Sequence, residues 1–179
     1  MTDLATLGAI VIAMKTIEDQ LRGHMAEGGK LASLKHLFIG PRTQQTTNDV
    51  MPCAFIIPKD GNIDQYAEAD YMGKSILTLN LEVQIGAPII MDSTVNAVAN
   101  NVLYDLAGNG CLHVFQNFLY CLMFSDSTPS AASFTPGLKM PLKSMPKPSF
   151  RFEYDGNFVY IVSDVTIEYM FTYSEICGF

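Results

Sequence analysis

KSILTLNLEVQI, residues 74–85, decides how this chain folds. From Leu77 to Ile85 every odd position is apolar (Leu77, Leu79, Leu81, Val83, Ile85), and Thr78, Asn80, Glu82 and Gln84 fill the even ones. A period of two over that length predicts a strand with one buried and one wet face. Ala87 and Pro88 stop it, and Asp92 or Ser93 can cap a helix predicted over Asp92–Ala107. That helix would bury Val95, Val98, Ala99, Val102, Leu103 and Leu106, with Gly108 and Gly110 as its exit.

A second alternating run closes the pattern, Asn157–Tyr173, with Val159, Ile161, Val165, Ile167, Tyr169, Phe171 and Tyr173 in phase. Phe158, Tyr160, Val162 and Met170 make its other face partly apolar too, so both faces are expected to be covered, by a helix on one side and a neighbouring chain on the other. Ahead of it, Phe150, Phe152 and Tyr154 alternate with Arg151 and Glu153, and Asp155-Gly156 predicts a tight hairpin turn.

Toward the N-terminus, Leu4, Leu7, Ile10, Met14, Ile17 and Leu21 recur at helical spacing, which predicts a first helix over Thr2–Leu21 capped by Thr2 or Asp3. Its apolar stretch Leu7–Met14 is too short to span a bilayer, and Asp3 stands where a secretory leader carries positive charge, so the stripe is read as core. Gly28-Gly29 break the pattern. Leu34–Ile39 suits a short strand or a helical remnant, Pro41–Asp49 an exposed polar loop, and Cys53–Ile57 a buried strand between Pro52 and Pro58. Asp60-Gly61 reads as a turn and Asn62–Met72 as an exposed acidic connection. Leu112–Phe124 fits a helix or an extended segment.

Residues 125–149 hold Pro129, Pro136, Pro141, Pro146 and Pro148 among Ser, Thr and Lys, a composition suited to a long excursion from the body. The expected fold is therefore α+β, with a mixed, mostly antiparallel sheet packed against two main helices, a C-terminal β-hairpin and a long Pro-rich arm, all in one domain of 179 residues.

The chemistry-bearing residues are sparse. His24, His36 and His113 lie far apart, with no metal-ligand spacing, and neither a Gly-x-Ser-x-Gly elbow nor a phosphate loop occurs. Asp64, Glu68 and Asp70 lack the glycine of a calcium loop and are read as a solvated loop. No catalytic residue, cofactor or metal is expected. Cys53, Cys111, Cys121 and Cys177 form no Cys-x-x-Cys pair and suit reduced thiols in a cytoplasm. A net charge of -7 argues against a protein that grips duplex phosphates. The one basic tract, Lys139, Lys143, Lys147 and Arg151, runs through Pro-rich sequence that cannot form a helix; it suits a solvated loop or, the reading preferred here, an extended arm docking on an acidic surface such as an identical subunit. Arg42, Gln44, Asn48 and Asp49 on the polar loop are the second interface candidates.

The order of elements resembles the tail terminator (tail completion) proteins of long-tailed bacteriophages. The resemblance runs through the N-terminal helix, the Pro-led strand from Met51-Pro52 to Ile57, the alternating strand Ser75–Val83, the polar-capped helix opening at Asp92, and the closing segment Asp164–Tyr169. It covers about two thirds of the chain as an order of elements, and residues 112–149 have no counterpart in it. The resemblance implies a non-enzymatic virion protein made in the host cytoplasm, a homohexameric ring at the head-proximal end of the tail. Its implied partners are its own copies, the tail tube protein and a head connector or neck protein, with DNA only as cargo passing through the lumen and no membrane. Another neck or head-completion protein is the alternative within virion assembly, and a small-molecule-binding domain or enzyme the alternative outside it.

Overall fold

The fold is that of a computed structural model, which describes residues 4–42, 50–65, 74–88, 110–123 and 150–172. Among these residues two helices, α1 (Leu4–Met25) and α2 (Cys111–Met123), accompany five strands: β1 (His36–Ile39), β2 (Cys53–Gln65), β3 (Lys74–Pro88), β4 (Phe150–Asp155) and β5 (Phe158–Thr172). The strands form one sheet in the order β1-β2-β3-β5-β4, with β1 parallel to β2 and every other pairing antiparallel. The architecture is the α+β one expected from the sequence, with its C-terminal β4–β5 hairpin.

The alternation in β3 does what its period requires. Leu77, Leu79, Leu81, Val83 and Ile85 are all fully buried on one face of the sheet, beside Ala54 and Ile56 of β2 and Val159, Ile161, Val165 and Ile167 of β5. Helix α1 covers this inner face toward β1, β2 and β3 and contributes Ala9, Ala13, Met14, Ile17 and Leu21, while α2 covers β3 and β5. Each fully buried Leu or Ile here adds about 1.5–3 kcal/mol of transfer free energy. Helix α1 and the turn after it are also tied to α2 by polar contacts: Gln20 Nε2 donates to the Cys121 carbonyl at 2.6 Å, and the ammonium of Lys30, in the turn, sits 3.2 Å from the centre of the Tyr120 ring. Gly61 lets β2 approach α1, because a Cβ there would stand 3.0 Å from Ile10 Cδ1.

Several boundaries differ from the sequence expectation. Helix α1 runs on to Met25, past Leu21, since Arg22 still has work on its flank: it pairs with Glu18 one turn back and donates to the Leu37 carbonyl. The segment Leu112–Phe124 suits either state by sequence, and its described residues are helical in α2, with Cys111, Val114, Phe115, Phe118, Cys121 and Leu122 buried at helical spacing. Residues 36–39 are a strand.

Strand β2 does not stop at Pro58 or turn at Asp60-Gly61. It continues to Gln65, pairing with β3 as far as Gln65↔Ser75. Proline is tolerated because β1 ends at the Ile39↔Ile56 pair, so beyond it β2 has become an edge. A bulge between Pro58 and Asp60 absorbs the irregularity. At the hairpin the pair Asp155↔Phe158 moves the turn one residue along, to Gly156-Asn157, with Gly156 at φ +58°. The predicted helix over 92–107, the Pro-rich arm over 125–149, Cys177, Glu68 and Asp70 lie outside the described residues.

Candidate interaction face

The sheet's outer face, opposite the helices, is organised in cross-strand rows. Cys53, Gly86, Tyr160 and Glu153 form one row across β2, β3, β5 and β4, and Phe55, Gln84, Val162 and Arg151 form the next. Ile57, Glu82 and Asp164 follow, then Asp60, Asn80 and Thr166. Chemistry changes along these rows from apolar to ionic to a hydrogen-bonded row of Asp60, Asn80 and Thr166.

At the apolar end, Met51, Cys53, Phe55, Tyr160 and Val162 make a second, smaller core, with Val50 and Phe158 against it. Hence both faces of β5 are covered over Val159–Val162, but the outer one is covered by this chain's own Met51 and Arg42, where the sequence reading expects a neighbouring chain. The Arg42 guanidinium lies 4.1 Å from the Tyr160 ring centre and 3.6 Å from a Glu153 carboxylate oxygen. Such a stacked cation is held by the ring quadrupole as well as by charge.

The ionic row grows from the bulge. In the register, Pro58 faces Leu81 and Asp60 faces Asn80, so Lys59 is the extra residue, and it reaches over the outer face. Its ammonium meets Asp164 at 2.6 Å and Glu82 at 3.0 Å. Glu82 in turn faces Arg151 at 3.8 Å, Arg151 pairs with Glu153 at 2.9 Å, and Glu153 returns to Arg42. The result is a continuous chain of alternating charge, Asp164, Lys59, Glu82, Arg151, Glu153 and Arg42, in which acids and bases balance. Beyond it Asn80 donates to Asp60 and accepts from Thr166 Oγ1 at 2.7 Å.

Burial alone would push the Glu82 carboxyl up, but hydrogen bonds from Gln84 and Lys59 and the charges of Lys59 and Arg151 outweigh it and hold the pKa below the ordinary value. Lys59 is moved upward, chiefly by its hydrogen bonds to Asp164 and Glu82. Both shifts favour the charged forms, which suits a fixed ionic lattice and not a proton donor or acceptor working near neutrality. Burial pushes the Cys53 and Cys111 thiols up to about 12 and that of Cys121 to about 11, so these three stay protonated and unreactive.

A group whose folded pKa is depressed contributes stability above its unfolded pKa and loses it as pH falls through the folded one. Glu82→Gln should therefore cost about 1–2 kcal/mol at neutral pH and flatten the loss of stability on acidification through and below the carboxylate range. Urea midpoints of both proteins, taken stepwise from pH 7 downward, test this. Parallel acid limbs would contradict it.

Of the interface candidates chosen from sequence, Arg42 and Arg151 are brought together on one acid, Glu153. Gln44, Asn48, Asp49, Lys139, Lys143 and Lys147 lie outside the described residues. Lys59, Glu82, Glu153 and Asp164 were not among those candidates. Alternation does place Glu82 on the wet face, yet its partners follow from strand register and from the bulge, neither of which has a sequence signature here. Among the described residues no three His, Cys, Asp or Glu side chains come together as a metal site, and no helix is long and apolar enough to cross a membrane. The chain matches no protein-family model and no characterised protein at a significant level.

Proposed function

We propose that this protein is a structural subunit of a phage virion that forms a ring at the head-proximal end of the tail, ends growth of the tail tube and offers the surface that joins the head connector. What carries the reading is the order of elements: α1, the strand β2 led in by Met51-Pro52, the alternating β3 and the closing strand β5 occur in the sequence order of the tail terminators that the chain resembles. The outer face supports it as well. Its ionisable groups are spread along the sheet and neutralise one another, the pattern of a surface and not of converging groups around a substrate. A net charge of -7 also suits a lumen that lets DNA pass without holding it.

Ring closure by head-to-tail contact needs two different complementary surfaces. The basic tract of Lys139, Lys143 and Lys147 would supply a basic one to an otherwise acidic sequence. Native mass spectrometry and negative-stain images of the concentrated protein, alone and with polymerising tail tube protein, test the assignment. The expected result is a sixfold ring with a central hole that caps tubes at one end. Rings that ignore tubes and bind a portal-side protein would transfer the protein to the neck, and a monomer carrying a small ligand would overturn the structural reading. Replacing residues 127–147 by a short Gly/Ser linker should leave the fold intact and weaken capping.

A further inference from the structure

Among the described residues strand β4 ends the sheet, and its sequence is self-complementary. Phe150, Phe152 and Tyr154 occupy alternate positions on the helix side, and Arg151 and Glu153 lie between them on the outer side. Turned end for end about Phe152, a second copy of this strand would set Phe150 against Tyr154, Phe152 against Phe152, and Arg151 against Glu153. Aromatic meets aromatic on one face, and cation meets anion, twice, on the other. We propose that β4 is where two copies of this protein associate, edge to edge and antiparallel, about a twofold axis through Phe152 and perpendicular to the sheet.

Three further observations favour a second copy as the occupant. Among the described residues, half of the large apolar side chains that stand exposed are on this one strand: Phe150, Phe152 and Tyr154, the last with 67% of its surface free. The usual defences of an edge are missing from β4, which holds no proline and no bulge. Its two charges are of opposite sign, so they do not repel an antiparallel copy, and the Arg151 side chain keeps 56% of its surface free beside its contact with Glu153. By contrast the opposite edge, β1, is only four residues long, has Phe38 and Ile39 on opposite faces and is not self-complementary.

The twofold axis keeps both helix layers on the same side of a sheet twice as wide. Like aromatics and unlike charges directly opposite are the cross-strand pairs that stabilise antiparallel sheets. An isologous contact of this kind cannot by itself close a cyclic ring, so the inference goes beyond the ring and stands whether or not the ring forms. It describes an association of free subunits or of one ring with another.

Sedimentation velocity of the full chain over a range of concentrations should show a reversible dimer. Arg151→Glu and Glu153→Arg, each of which places two like-charged pairs across the axis, should each weaken it by at least about tenfold. An equimolar mixture of the two variants should recover it, because every crossing pair is then opposite in sign. Phe152→Cys in a Cys177→Ser background keeps both charges and should form a disulfide-linked dimer on mild oxidation, so the proposal remains testable if a charge variant fails to fold. A monomer at all concentrations, a dimer indifferent to both reversals, no recovery on mixing, or open oligomers larger than two would each overturn the twofold contact. None of these results bears on tube capping, which tests the ring separately.

Discussion

Gly86→Ala is expected to destabilise the protein by about 1–3 kcal/mol, the cost of forcing extra volume into a packed site. A Cβ at this position would stand 2.6 Å from Cε1 and 2.9 Å from Cδ1 of the Tyr160 ring, closer than side-chain carbons approach one another, and 3.1 Å from Met51 Cε. The methionine end can swing aside. The ring cannot do so freely: Tyr160 is fully buried, tilted against Phe55 and capped by the Arg42 guanidinium. Gly86 is therefore the seat of the tyrosine, and its absent side chain is part of the packing. Urea or thermal denaturation of the purified variant measures the loss, and an unchanged midpoint would mean that the outer cluster is loose enough to shift.

Tyr160→Ala should be the more damaging, at about 3–5 kcal/mol, because it empties the centre of the outer cluster and leaves a cavity among Met51, Cys53, Phe55 and Val162. It also strips Arg42 of its platform, leaving a half-buried cation whose Nη1 has no hydrogen-bond partner among the described residues. The two changes are predicted to be coupled. With the ring gone, the methyl group of alanine at position 86 has room, so Gly86→Ala in the Tyr160→Ala background should cost little or even fill part of the void. A full double-mutant cycle reads this directly. Additive losses would show that the glycine serves the backbone and not the ring.

How much of this could be seen in the sequence depends on how local each feature is. The inward face of β3 is legible because its five apolar residues follow one period without exception, and burial honours each of them. Helix α2 is not, because Leu112 and Leu119 are apolar flanks of an already apolar stripe and blur its period. The course of β2 through Asp60-Gly61 is hidden for a different reason. Those residues favour a turn locally, and only the ladder with β3 and the bulge at Lys59 hold them extended. The ionic chain is hidden most thoroughly, since it joins residues as far apart in sequence as Arg42 and Glu153, whose meeting is decided by the folded sheet and by nothing local. The sequence marks Arg42 and Arg151 as interface candidates. Their ties to Glu153 make them, in the isolated chain, parts of an ordered surface as well.

The placement of β5 has a consequence for how the protein is made. This strand is not added to the outside of a finished sheet. It lies between β3 and β4, and it carries one inner edge of the core through Val159, Ile161, Val165 and Ile167. Its ladder with β3 joins Pro88 to Phe158 at one end and Lys74 to Thr172 at the other, contacts of long sequence separation whose loop must be closed before any pair gains from it. Until translation has passed Thr172, the nascent chain therefore displays the apolar row of β3 with an unpaired edge, the kind of surface that attracts chaperones or other nascent chains. The middle of the sheet is thus completed only when β5 enters between β3 and β4.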